Sequence, residues 1–114
     1  IHGLEPVVPG TSLNIEGGIG RPALEPTLRN RQLWQLAQDL SSGIGLLLDE
    51  GLAGGGSDGN TTSLYTATLD GLGPVGDGAH ATHEFLFLDE TLERTALLAL
   101  LLLAPPLKSP EEAR

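Results

Sequence analysis

Apolar positions change their spacing several times along this chain, and each change predicts an element. From Thr11 to Ile15, Leu13 and Ile15 alternate with Ser12 and Asn14, the period of a half-buried strand. Leu33, Leu36, Ala37, Leu40 and Ile44 recur at helical spacing and form one apolar stripe, with Trp34 at its edge. Thr27 or Asn30 caps the start of that helix, and Gly43 and Gly45 end it. Leu46, Leu47 and Leu48 predict a short buried strand, Asn60 to Tyr65 a short helix, and Thr66 to Leu69 a further strand. Phe85-Leu86-Phe87-Leu88 is a continuous apolar run of strand length. Asp89 then caps a last helix, with Glu90 and Glu93 near its start, where the helix dipole favours negative charge. Leu92 and Ala96 to Leu103 are apolar on nearly every face, which predicts deep burial, and Pro105-Pro106 stop the helix. Strands alternating with helices predict a layered α/β fold, in which ligand loops gather at the carboxyl ends of strands.

Composition narrows the function. The 114 residues suffice for one small domain, and aromatics at 4% leave Leu, Ala, Val and Ile to fill its core. A formal net charge of −9 argues against nucleic acid and against an anionic membrane surface as partners, since both need a basic face. Cysteine is absent, which removes disulfide and thiol chemistry and fits a cytoplasmic protein. The longest apolar run, Ala96 to Ala104, falls far short of the roughly 20 residues that span a bilayer. No basic segment leads into an apolar run at the start, so no signal peptide is expected. The first residue is Ile1 rather than Met, so a piece of a longer protein is expected.

Three stretches carry candidate chemistry. Gly71 to Glu84 holds His80 and His83 among four glycines and a proline, a backbone able to aim an imidazole. His80-x-x-His83-Glu84 is not the two-histidine helical motif of metalloproteases, and by itself the stretch also fits a surface loop with solvated histidines. Gly54-Gly-Gly-Ser-Asp-Gly-Asn60 has no lysine after its glycines and so is not a nucleotide-phosphate loop. It reads either as a plain turn or as a nest of N–H groups at a helix start, with Asp58 as cap and Ser57 and Asn60 free to bind a ligand. Arg21, between Gly20 and Pro22, is either solvated or a bidentate clamp for a carboxylate. His2 has no partner in the pattern.

Taken together and in order, Gly17-Gly-Ile-Gly-Arg-Pro-Ala-Leu-Glu25, Gly54 to Asn60, Leu69-Asp-Gly-Leu-Gly-Pro-Val-Gly-Asp-Gly-Ala-His80 and Glu84-Phe-Leu-Phe-Leu-Asp-Glu90 form a set. With the apolar helix that follows, the set resembles the C-terminal part of a zinc metallopeptidase family. That family contains glutamate carboxypeptidases, acetylornithine deacetylases and succinyl-diaminopimelate desuccinylases. The likeness runs from about Gly10 to about Ala104.

The resemblance implies an α/β catalytic domain of zinc-peptidase type with an inserted ferredoxin-like lid. Residues 1–25 would end the lid (dimerisation) domain and form the hinge, 26–107 would be the C-terminal part of the catalytic domain, and 108–114 a polar tail. It implies two zinc ions, with cobalt as a substitute, and assigns His80 to one of them. The metals would acidify a bridging water and polarise the scissile carbonyl, and a glutamate outside this chain would take the proton. Arg21 would hold the substrate carboxylate, and Gly55, Gly56, Ser57 and Asn60 would line the pocket. His83 falls at a varied position and is not assigned. The implied substrates are peptides or N-acyl amino acids with a free carboxylate, cleaved by a carboxypeptidase or deacylase, and a homodimer through the lid is implied. The family's remaining ligands and its general base lie upstream of this chain, so the isolated fragment is expected to be inactive and to expose apolar surface. After Asn60 the usual aromatic and Gly-x-Pro turn are replaced by Thr66-Ala67-Thr68. Two other readings stay open: a di- or tripeptidase of the same family that recognises a free amine, and a non-catalytic binding or structural module.

Overall fold

Local signals place the helices well. The computed structural model describes residues 3–107, and the tail expected at 108–114 and His2 lie outside them. Helix α1 spans Leu28–Gly43. Thr27 is its N-cap, its hydroxyl accepting from the Asn30 N–H at 3.3 Å. Its far end closes as a Schellman motif: Leu46 N–H donates to the Ser41 carbonyl at 2.9 Å and Gly45 N–H to that of Ser42 at 3.1 Å. That closure needs a left-handed residue, and Gly45 supplies it at φ 78°. Helix α2 is a single turn, Gly59–Thr62. Helix α3 spans Leu88–Leu103, with Asp89 and Glu90 in its first turn. Its N-cap is Phe87 rather than the expected Asp89, because the hairpin holds Phe87 by donating its N–H to the Val75 carbonyl at 2.9 Å.

The strands depart from the expectation. Only β1 (Gly76–Asp77) and β2 (Phe85–Leu86) form among the described residues, antiparallel, with Gly76 opposite Leu86 and Asp77 opposite Phe85. A Cβ on residue 76 would sit 2.0 Å from the Phe85 carbonyl oxygen, so glycine is what lets this ladder close. Thr11–Ile15, Leu46–Leu48 and Thr66–Leu69 run as irregular chain. Alternating side chains make a strand only where a neighbouring strand pairs with the backbone, and among the described residues these segments have no such ladder: Thr68 N–H goes to the Asn30 side chain and Leu46 N–H to the Ser41 carbonyl.

Helices α1 and α3 pack on one another, and each contributes one fully buried apolar side chain, Ala37 and Leu97. The buried face of α1 follows Asn30, Ala37 and Ser41, while Leu33, Leu36 and Leu40 of the expected stripe are only half-buried and Ile44 is exposed. The deep burial expected of α3 is not met either: Leu92, Leu98, Leu102 and Leu103 are exposed. One packed neighbour covers one stripe, and an all-round apolar helix needs several. The accessible surface is 9387 Å² for 11.9 kDa, against about 5,900 Å² for a compact monomer of that mass. The radius of gyration is 20.1 Å with extents of 66 × 47 × 17 Å, where a compact chain of this length would have roughly 13 Å. The described residues form a thin plate of three helices and two short strands.

Asn30 is the polar knot of this plate. Buried at 4% exposure, its Nδ2 donates to the Glu25 carbonyl at 2.8 Å and its Oδ1 accepts the Thr68 N–H at 3.0 Å. Asn30→Ala strands both backbone groups, and the expected loss is about 2–3 kcal/mol in urea denaturation of the protein. An unchanged midpoint would show that the two segments hold together without it.

Candidate functional site

The glycine-rich loop 54–60 is organised by its own side chains. Asn60 Oδ1 accepts the Ser57 N–H at 2.8 Å, and Ser57 Oγ accepts the Gly59 N–H at 3.0 Å. Asn60 N–H donates to the Ser57 carbonyl at 3.2 Å. Three of the N–H groups at the helix start, those of Ser57, Gly59 and Asn60, are therefore taken up within the loop. Asp58 occupies the N-cap position of α2 but makes no side-chain cap bond, and the Ser57 hydroxyl takes that role.

Arg21 comes to this loop through two contacts. Asn60 Nδ2 donates to the Pro22 carbonyl at 2.9 Å, across 38 positions of sequence. The Arg21 side chain lies over Gly56, its Cδ 3.0 Å from where a Cβ would stand, so a larger residue at 56 displaces the arginine. Arg21 is exposed, and its guanidinium makes no hydrogen bond among the described residues. Leu24 packs against Gly59 on the same side.

Asp70 joins from the third stretch. Ser57 Oγ donates to Asp70 Oδ2 at 2.6 Å, and Gly71 N–H donates to Asp70 Oδ1 at 2.9 Å. The Ser57 hydroxyl first, and the Gly71 N–H second, hold the Asp70 carboxyl below its ordinary range, and slight burial opposes them weakly. Helix α1 roots the far side: Arg29 Nη2 donates to the Ser63 carbonyl, while Asn30 receives Thr68. The Arg29 Nε is buried without a partner among the described residues.

His80 sits elsewhere, in the loop that joins β1 to β2. Its backbone is left-handed, φ 67°, and its side chain is exposed. Turns around it are fixed by Gly78 N–H to Asp77 Oδ1 at 2.6 Å and Ala81 N–H to the Gly78 carbonyl at 2.8 Å. The His83 ring covers Gly78, its Cδ2 2.9 Å from a Cβ placed there. An open depression of about 360 Å³ runs along the hairpin, lined by Pro74, Asp77, Glu84, Phe85 and Leu86 among others, and neither histidine lines it. Among the described residues no three His, Asp or Glu side chains come together as an ion would need. The described residues do not form a metal centre by themselves, and His80 would offer one ligand of a larger set.

Compared with known proteins, the chain matches no family model, and no curated protein or solved structure is significantly similar to it. No helix among the described residues is long and apolar enough to cross a membrane.

Of the residues singled out from the sequence, Arg21, Gly56, Ser57 and Asn60 are brought together, and Gly55 adjoins them in the chain. His80 belongs to a separate loop. Sequence reasoning passed over Asp70 and the Pro22 carbonyl. An Asp-Gly pair signals a turn, which hides a carboxylate's role, and a backbone carbonyl has no sequence signal at all.

Proposed function

We propose that this chain is the C-terminal part of a metal-dependent hydrolase that cleaves amide bonds of peptides or N-acyl amino acids bearing a free carboxylate. Residues 1–25 end its lid and 26–107 belong to its catalytic domain. The reading rests on one observation above the others: the exposed guanidinium of Arg21, without a hydrogen-bond partner among the described residues, is held over the glycine-rich loop by the Asn60–Pro22 hydrogen bond. A planar cation beside a loop without bulky side chains suits a bidentate carboxylate. The thin plate with its uncovered α3 suits a piece of a larger layered domain. In this reading His80 contributes one metal ligand, and the other ligands and the general base come from outside these 114 residues.

The experiment is hydrolysis of acyl amino acids and dipeptides by the full-length protein, with and without added zinc or cobalt. Turnover should depend on the metal, and Arg21→Ala should raise KM for carboxylate-bearing substrates by roughly 10- to 100-fold with a smaller change in kcat. Metal-independent activity rejects a metal-dependent hydrolase, and no activity on any substrate favours a binding or structural module. One observation favours the di- or tripeptidase alternative. The Asp70 carboxylate lies in the same cluster, and the Ser57 hydroxyl and then the Gly71 N–H favour its ionised form, the charge that a free amine would meet. Under that alternative Arg21→Ala has little effect and substrates lacking the amine are poor.

A further inference from the structure

The hydrogen bonds at Ser57 define what that side chain has left to offer. A hydroxyl has one proton and two lone pairs. The Ser57 proton goes to Asp70 Oδ2 at 2.6 Å, and one lone pair takes the Gly59 N–H at 3.0 Å. One acceptor position remains. Asn60 is the complement: its oxygen takes the Ser57 N–H and one Nδ2 proton goes to the Pro22 carbonyl, which leaves one donor. Arg21, over Gly56, adds further donors. The cluster therefore presents donors from Arg21 and Asn60, and an acceptor position on Ser57 beside the Asp70 carboxylate, whose two oxygens each already take one hydrogen bond.

We infer that Ser57 accepts a hydrogen bond from a substrate N–H, and that Asp70 is the positioning residue that turns the hydroxyl into an acceptor. The site then selects compounds that carry an N–H beside a carboxylate, that is, secondary amides over esters and over tertiary amides such as prolyl bonds. This specificity rests on the hydrolase reading above. Asp70 can hold the role because a carboxylate has no proton to give and accepts through both oxygens. Without Asp70 the hydroxyl is free to rotate and donate, and its preference for an N–H is lost. An ester oxygen in place of the N–H faces a lone pair rather than making a bond, a mismatch that costs more than a missing contact.

The test uses the full-length protein with added zinc and two substrates: an N-acyl amino acid and the matching ester in which oxygen replaces the scissile N–H. The readout is the ratio of kcat/KM for amide to that for ester, which cancels the intrinsic difference in reactivity when variants are compared with wild type. Ser57→Ala and Asp70→Ala should each lower this ratio about tenfold. Asp70→Asn, whose oxygen still accepts the Ser57 proton, should recover most of it. A general weakening of the loop lowers both substrates together and leaves the ratio alone. A ratio within about twofold of wild type in both alanine variants therefore overturns the inference while leaving the hydrolase standing. A wild-type protein that turns over neither substrate overturns both.

Discussion

On its own, the 114-residue chain should hydrolyse no acyl amino acid or dipeptide and bind no zinc pair at submicromolar concentration. A catalytic zinc ion typically takes three protein ligands and leaves one position for water, and tight binding comes from several deprotonated ligands fixed together. Among the described residues no such group exists, and His80 stands on an exposed turn. Under the proposed hydrolase reading, the same residue should matter greatly in the full-length protein. Residues that only support metal ligands already cost 10- to 100-fold when removed, so His80→Ala should lower kcat/KM by at least about a hundredfold and weaken metal retention with it. Zinc titration by calorimetry and a hydrolysis assay, on the chain and on the full protein, check both halves. Two tightly bound zinc ions in the isolated chain, or a full-length His80→Ala variant with wild-type activity and metal content, would remove His80 from the site.

The second large effect is on stability. Leu97→Ala removes the one large apolar side chain that is fully buried among the described residues, on the helix α3 that packs against α1. Truncations of this kind cost about 2–5 kcal/mol, a large share of a total stability of roughly 5–15 kcal/mol. The isolated chain should lose its cooperative thermal transition, and the full-length protein should melt measurably lower. Leu102, 78% exposed, is the informative comparison. Leu102→Ala should change the isolated chain by less than about 0.5 kcal/mol, as surface substitutions do. In the full-length protein, where the proposed domain covers α3, it should cost about as much as Leu97→Ala. Equal, small effects in both would mean that this face stays open and that the layered domain is wrong.

Helix bounds were legible because their causes lie within a few residues. Thr27 caps its own helix, Gly45 closes it from two residues past its end, and Pro105-Pro106 bar continuation of α3. The strands were not legible in the same way. Leu13 and Ile15 alternate as well as any strand, yet a ladder needs a partner whose position the alternation does not state. The candidate site divides along the same line. Arg21, Gly56, Ser57 and Asn60 could be singled out by residue type and motif order. Asp70 could not, because its importance is a hydroxyl 13 positions away.

By itself the sequence determined the acidic balance, the absence of thiol chemistry, the long helices with the glycine end of α1, and the glycine-rich turns. All of these depend on composition or on hydrogen bonds and φ limits acting over short spans. The tertiary structure alone decided which face of α1 is buried, which segments pair and which way the Ser57 proton points. The buried face of α1 runs through Asn30, Ala37 and Ser41 because α3 and Thr68 meet it there, and not where its leucines are densest. The hairpin closes at Gly76 because only there can the Phe85 carbonyl approach so nearly. Arg21 meets the loop because Asn60 reaches the Pro22 carbonyl. Each of these is a contact between residues distant in the chain, and its geometry exists only once the chain has folded.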